Sequence, residues 1–152
     1  MHTSAHSYFA EDHTTIREKR NQVELYVASK DGSLPRLLGS RCDNCGEVVF
    51  PAMIDCPACL GYTSMRRHEL QGRGRLREFV VTQRSTSGFS VPYIQAYVRL
   101  DDGPTIFSMI DGCEPDASSI RAGDVVEMSI RVLRSVDGLD YVGWTFHPVG
   151  GD

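Results

Sequence analysis

Arg41-Cys42-Asp43-Asn44-Cys45-Gly46 and Cys56-Pro57-Ala58-Cys59-Leu60-Gly61 decide how this chain is read. Each stretch carries a Cys-x2-Cys pair, and ten residues separate the pairs. A Cys-x2-Cys turn places two thiolates on one tight knuckle. Two facing knuckles offer the four soft, anionic ligands that a tetrahedral zinc ion prefers. A glycine follows each second cysteine by one or two residues, where the backbone must turn sharply and aim its amides at sulfur. Between the pairs, Glu47-Val48-Val49-Phe50-Pro51 reads as a short apolar strand. The whole is a zinc ribbon holding one metal ion through Cys42, Cys45, Cys56 and Cys59. Four protein thiolates leave no open coordination position, so the metal is expected to be structural. The same ligands also suit iron, which spacing does not exclude.

The competing uses of paired cysteines are disulfides and redox dithiols. Residues 1–15 are polar, with His2, His6, Glu11, Asp12 and His13, and contain no apolar run of a secretory signal. A cytoplasmic setting is therefore expected, where thiols stay reduced. A redox Cys-x-x-Cys sits in a βαβ pattern, which is not visible here.

Among 152 residues, 41% are hydrophobic and 24% charged, and no apolar stretch approaches a membrane span. The net charge of −4 argues against a generic nucleic-acid binder, which presents a basic surface. The charge is uneven. Residues 66–84 hold Arg66, Arg67, Arg73, Arg75, Arg77 and Arg84 against Glu69 and Glu78, whereas residues 101–152 hold ten acids against three arginines. Arg73, Arg75 and Arg77 alternate, so on a strand they share a face. That face is either solvated, with its arginines paired to Glu69 and Glu78, or a site for an anion or an acidic partner.

The expected architecture is mainly β: an N-terminal helical segment (1–36), the ribbon (37–66) and a five-stranded OB-type barrel (67–150). Residues 8–29 carry Ile16, Val23 and Tyr26 at helical spacing, and Asp31-Gly32-Ser33 stops that pattern. From Arg67 onward the signals are those of strands. Residues 70–84 start with Gly72 and Gly74, which permit a bend and leave room for a backbone or ligand to approach. Ile94, Ala96, Val98 and Leu100 alternate with Tyr93, Gln95, Tyr97 and Arg99. Asp101-Asp102-Gly103-Pro104 is a hairpin turn, and residues 105–110 form the return strand. Asp116–Ile120 is expected to form a short turn of helix. Val126, Met128, Ile130 and Val132 alternate again, Asp137-Gly138 turns, and Val142, Trp144 and Phe146 mark the last strand. Five strands with an excursion after the third fit a Greek-key OB barrel; a small open sandwich is the other arrangement.

Taken together, Leu38-Gly39-Ser40-Arg41-Cys42-Asp43-Asn44-Cys45-Gly46, Phe50-Pro51, Cys56-Pro57-Ala58-Cys59, Leu70-Gln71-Gly72-Arg73-Gly74-Arg75-Leu76, Pro92-Tyr93 and Gly103-Pro104 resemble the DUF35 family. The resemblance runs from about residue 8 to residue 149. It departs at Leu60, where the family often has glycine directly after the fourth cysteine. It implies a non-catalytic companion of acyl-CoA enzymes in a hetero-oligomer. The partner would be a thiolase-fold protein that cleaves a 3-oxoacyl-CoA by thiolysis or a retro-aldol step, on aromatic or steroid intermediates for example. A hot-dog-fold enoyl-CoA hydratase is the other partner it implies.

No Gly-x-Ser-x-Gly, His-Glu-x-x-His or phosphate loop is present. Cys113 is either a nucleophile served by His68 or His147, or a small hydrophobe at a strand end. Tyr93, Tyr97 and Phe89 either pack the barrel or stack a flat ring. Arg73, Arg75 and Arg77 are the candidates for contact with CoA phosphates or partner carboxylates, since guanidinium matches phosphate geometry. A single-stranded nucleic-acid binder is the reading from another class, because ribbons and OB barrels both serve it. The acidic balance weighs against it. A filter-binding titration near physiological salt is expected to show no sub-micromolar binding to a mixed-sequence single strand.

Overall fold

The alternation in residues 93–100 becomes one wall of a barrel. Ile94, Ala96, Val98 and Leu100 are at most 2% exposed, while Tyr97 and Arg99 face outward. The computed structural model describes residues 24–29, 31–84 and 88–150. Its strands are β1 (Tyr26–Val27), β2 (Arg36–Cys42), β3 (Val48–Val49), β4 (Met65–Leu70), β5 (Arg73–Thr82), β6 (Tyr93–Leu100), β7 (Thr105–Ile110), β8 (Val125–Val136) and β9 (Leu139–Pro148).

Strands β5 to β9 close a barrel in the order β5-β6-β7-β9-β8, with β8 returning to β5. Neighbours are antiparallel except β7 and β9, which run parallel at Ile110 and Phe146. This is a five-stranded Greek-key closure of OB type, and it settles the barrel against the sandwich. The β8–β9 turn is the expected Asp137-Gly138, both at positive φ (51° and 76°), the geometry a two-residue hairpin requires. In β5 a bulge falls between Leu76 and Glu78, which turns Arg77 and Glu78 outward together.

Strand β2 is the spine of the second sheet. It pairs antiparallel with β1, β3 and β4, and β4 runs from Met65 opposite Cys42 to Leu70 opposite Leu37. β4 therefore crosses the expected ribbon–barrel junction before the chain bends at Gln71 and Gly72 into β5. The two sheets share one core. Tyr26, Leu37 and Leu70 pack in the same cluster as Leu76, Val98, Val126 and Phe146. Trp144 on β9 sits at the joint, edge-on to Tyr26 (centroids 6.2 Å) and to Phe50 (5.7 Å).

Two local expectations change. The helix expected over 8–29 falls largely on residues 1–23, outside the described residues, and its C-terminal end is extended instead. Tyr26 and Val27 pair with Leu37 and Arg36, and the Leu38 amide donates to the Leu25 carbonyl. Pairing with β2 and burial of Tyr26 outweigh a thin helical stripe. Residues 116–120 form a turn, not helix, because Asp116 Oδ1 accepts from the Ser118 amide (2.8 Å) and hydroxyl (2.5 Å). Such local side-chain bonds compete with helical ones.

The glycines at the start of β5 serve the chain's own packing. A Cβ on Gly72 would lie 2.3 Å from the Pro35 carbonyl, and one on Gly74 2.3 Å from the Arg99 carbonyl. The close approach expected there is made by the protein's own backbone. Gly74→Ala should therefore lower stability by about 1–3 kcal/mol through overpacking of the β5–β6 seam, measurable by urea denaturation. Thr105→Ala, on the exposed outer face of β7, is the matched control and should be near neutral.

Candidate metal centre

Two knuckles bring four sulfurs together. Cys42 ends β2 and Cys45 follows its turn; Cys56 and Cys59 flank the second turn. All four Sγ atoms lie within 4.8 Å of one another. Cys42 Sγ is 3.7 Å from Cys59 Sγ, and Cys45 Sγ is 3.6 Å from Cys56 Sγ. A disulfide requires about 2.05 Å. With Zn–S bonds of about 2.3 Å, a tetrahedral site has S–S edges of about 3.8 Å, so the donor set fits one zinc ion. Cys42 and Cys56 are buried, while Cys45 and Cys59 lie at the surface.

The polar surroundings favour thiolate. The Asn44 amide donates to Cys42 Sγ (3.3 Å) and the Cys59 amide to Cys56 Sγ (3.5 Å). Ser64 Oγ lies 3.3 Å from Cys42 Sγ, and the Ser64 hydroxyl donates to the Gly61 carbonyl. Ser64, whose hydroxyl can turn from the Gly61 carbonyl to the sulfur, and the Cys45 and Asn44 amides hold the Cys42 thiol down at about 6. The Glu47 amide favours a Cys45 thiolate, but burial and the three neighbouring thiols push Cys45 up to about 12. Cys59 is likewise raised: the Gly61 amide lowers it, while burial and the Cys42 and Cys56 thiols outweigh that. The quartet without metal thus holds one favoured thiolate, at Cys42, beside two thiols, Cys45 and Cys59, that resist losing their protons. A divalent ion is what allows the four sulfurs to share their negative charge.

The two knuckles differ at one point. After Cys45 the left-handed position is Gly46 (φ 79°); after Cys59 it is Leu60 (φ 59°). A leucine there costs roughly 1–2 kcal/mol that glycine does not. Gly61 does not take over the turn. It admits a close approach, since a Cβ there would lie 2.7 Å from both Asn44 Nδ2 and Ser64 Oγ.

The arginines stand apart from the metal. Arg73 pairs with Glu127 (2.8 Å) and Asp101 (4.0 Å), and Arg75 donates to the Gly123 carbonyl (2.9 Å). Glu69, expected opposite them, is engaged with Arg36 (3.1 Å) and Arg67 (3.9 Å). Arg77 has no partner among the described residues and is exposed on the β5 bulge. Cys113 packs against the core, and burial, with Asp111, Asp116 and Glu114 nearby, pushes its thiol up. An activated nucleophile needs the opposite shift. His68 faces Asp102 (3.8 Å), and His147 Nδ1 meets Ser129 Oγ (2.9 Å).

Two features were not read from the sequence. Leu25, Phe89, Tyr93, Phe107, Met109 and Trp144 line an apolar groove of about 350 Å³ on the outer barrel wall. Beyond the metal, Met53, Ile54, Leu60 and Tyr62 stand exposed on the ribbon lobe. The only trace of the second in the sequence is leucine where the turn favours glycine.

Known proteins share this arrangement. The family model "ChsH2, rubredoxin-like zinc ribbon domain" matches residues 30–63, and "ChsH2, C-terminal OB-fold domain" matches residues 67–131. A DUF35 domain-containing scaffold protein of Methanothermobacter thermautotrophicus is 38% identical over 116 residues, covering 74% of this chain and 86% of that one. The chain belongs to the DUF35 family. Another DUF35 scaffold protein, from Methanocaldococcus jannaschii, is 30% identical over 93% of this chain and 96% of its own length. The benzoylsuccinyl-CoA thiolase subunit BbsA of Thauera aromatica is 31% identical over 83% of this chain and 85% of its own. Among solved structures, a chain of the Ltp2–ChsH2(DUF35) aldolase matches with a TM-score of 0.61 and 26% identity, over 76% of this DUF35 chain and 86% of that one.

Metal analysis of native protein should give about one zinc per chain. Acid competes for the sulfurs: in the metal-free quartet the Cys42 thiolate is favoured down to about 6, and below that a proton opposes recapture of the ion. A chelator should therefore strip the metal faster at pH 5 than at pH 7.5. Trp144, the single tryptophan, abuts Phe50 of the ribbon, so its fluorescence should follow the loss.

Proposed function

We propose that this chain is a non-catalytic, zinc-containing subunit of a thiolase-fold acyl-CoA complex. The observation that carries the reading is similarity along most of its length to a thiolase subunit, in a chain whose four-cysteine cluster among the described residues would leave a metal no open position. The chemistry belongs to the partner, whose nucleophile would attack a 3-oxoacyl-CoA in a thiolysis, or whose acid–base groups would drive a retro-aldol cleavage. Support for a companion role comes from Cys113, whose raised thiol is packed against the core and flanked by carboxylates. The structural ribbon and the barrel would then supply contact area and help shape the acyl-CoA site.

Arg73, Arg75 and Arg77 extend this reading to the CoA phosphates or to carboxylates of the partner. Arg77 is the member best placed for it, because Arg73 and Arg75 are already engaged within the chain. Its charge on an exposed bulge is available to an outside anion.

The test is a tagged chain expressed in its own cell, purified with its partners and examined by mass spectrometry. A thiolase-fold protein at a fixed ratio is the expected result; a hydratase, a nucleic acid or no partner would overturn the reading. In the assembled complex Cys113→Ala should leave turnover nearly unchanged. Arg77→Glu should weaken assembly or raise the KM for acyl-CoA several-fold with the fold retained.

A further inference from the structure

The apolar groove beside Trp144 and the metal itself leave one part of the surface unexplained: the lobe between Pro51 and Thr63. Leu60 is 82% exposed, Tyr62 83% and Ile54 72%, with Met53 half exposed beside them. These side chains project from a rigid base. The Thr63 amide donates to Asp55 Oδ1 (2.8 Å), the Cys56 amide to the Gly61 carbonyl (3.0 Å) and the Met53 amide to Ser40 Oγ (2.9 Å). Cys56 and Cys59 anchor the same loop at the metal site. Ordering entropy is thus already spent before any partner arrives.

Leu60 adds a second, independent observation. It holds the left-handed conformation that the first knuckle gives to Gly46, and its side chain rests on nothing that would compensate within the chain. An uncompensated backbone strain at an exposed apolar residue marks a contact made outside the chain. Charge narrows the partner. Asp55 is the only charged side chain between Pro51 and Thr63. Four thiolates around a divalent ion leave a net charge of about −2 beneath the lobe. A surface that fits has an apolar floor and a basic rim, and a polyanionic nucleic acid lacks that rim.

Resting on the proposed companion role, we infer that the ribbon lobe is the anchor that docks into an apolar, basic-rimmed pocket of the thiolase-fold partner, with Leu60 and Tyr62 as the buried contacts. Exposed aromatic and aliphatic anchors of this kind dominate interface affinity.

The experiment uses the zinc-loaded chain and the thiolase-fold protein that co-purifies with it, mixed in a calorimeter. Leu60→Gly is the decisive variant because strain and contact act on it in opposite directions. The melting temperature of the isolated chain should stay level or rise, while the Kd for the partner weakens at least tenfold. Tyr62→Ser should weaken binding similarly without lowering the melting temperature, and wild-type affinity should fall with added salt. A Leu60→Gly chain that binds within twofold of wild type would overturn the inference while leaving the companion role intact. So would one that melts several degrees lower, which would make the leucine structural. Self-association of the wild type that Leu60→Asp abolishes would make a second copy the occupant and overturn the choice of partner. A wild-type chain that binds no thiolase-fold protein removes the companion role and this inference with it.

Discussion

A cluster of four sulfurs that fits one zinc ion ties the ribbon lobe together, because little else there does. The apolar cluster beneath the lobe consists of Cys42, Cys56 and Met65 with Val49 against them. Two of its members belong to the four-cysteine cluster. A lobe this small cannot bury enough apolar surface to offset the entropy of ordering its loops, so metal binding and folding are one event there. The amide and hydroxyl contacts that favour the Cys42 thiolate act toward the same end. They prepare charge for a cation, and the cation in turn fixes both knuckles.

The barrel depends on the metal less directly. β2 carries Cys42 at one end and pairs along its length with β4, which leads into the barrel. Leu37 and Leu70, paired across these two strands, lie in the barrel's core. Trp144 closes the contact by packing edge-on against both Tyr26 and Phe50. The ribbon is therefore seated on the barrel by a continuous apolar core, and β4 runs up to the joint, where the chain bends at Gln71 and Gly72 into β5. Gly103 belongs to the same seat: a Cβ there would lie 3.0 Å from Val48 Cγ1, so the β6–β7 hairpin tucks under β3. A lobe projecting from such a base presents its side chains in a fixed orientation.

Electrostatics divides the surface in a way net charge hides. The acidic balance of the whole chain coexists with arginines on the outer face of β5, two of which are engaged within the molecule. Arg73 meets acids from β8 and from the β6–β7 turn, and Arg75 meets the Gly123 carbonyl. Arg73 is thus neutralised by acids remote in sequence, while Arg75 keeps its charge with one donor occupied. What is left, Arg77, is exposed by the bulge that sets it beside Glu78.

The amino-acid sequence alone determined the four-cysteine cluster, the strand alternation and the turns. These are local: Cys-x2-Cys spacing, a period of two along residues 93–100, and Asp137-Gly138 at positive φ all act over a few residues. Only the tertiary structure decided how distant segments meet. It made residues 26–27 a strand, because β2 offered a pairing edge and the half-buried Trp144 a ring to pack Tyr26 against, where local periodicity pointed to helix. It closed the barrel through the parallel contact of Ile110 with Phe146, gave the room at Gly72 and Gly74 to Pro35 and Arg99, and chose the arginines' partners. It also left Leu60 strained and exposed on the lobe. Exposure and close approach depend on what the rest of the chain brings to a point in space, and that is not written in the spacing of neighbours.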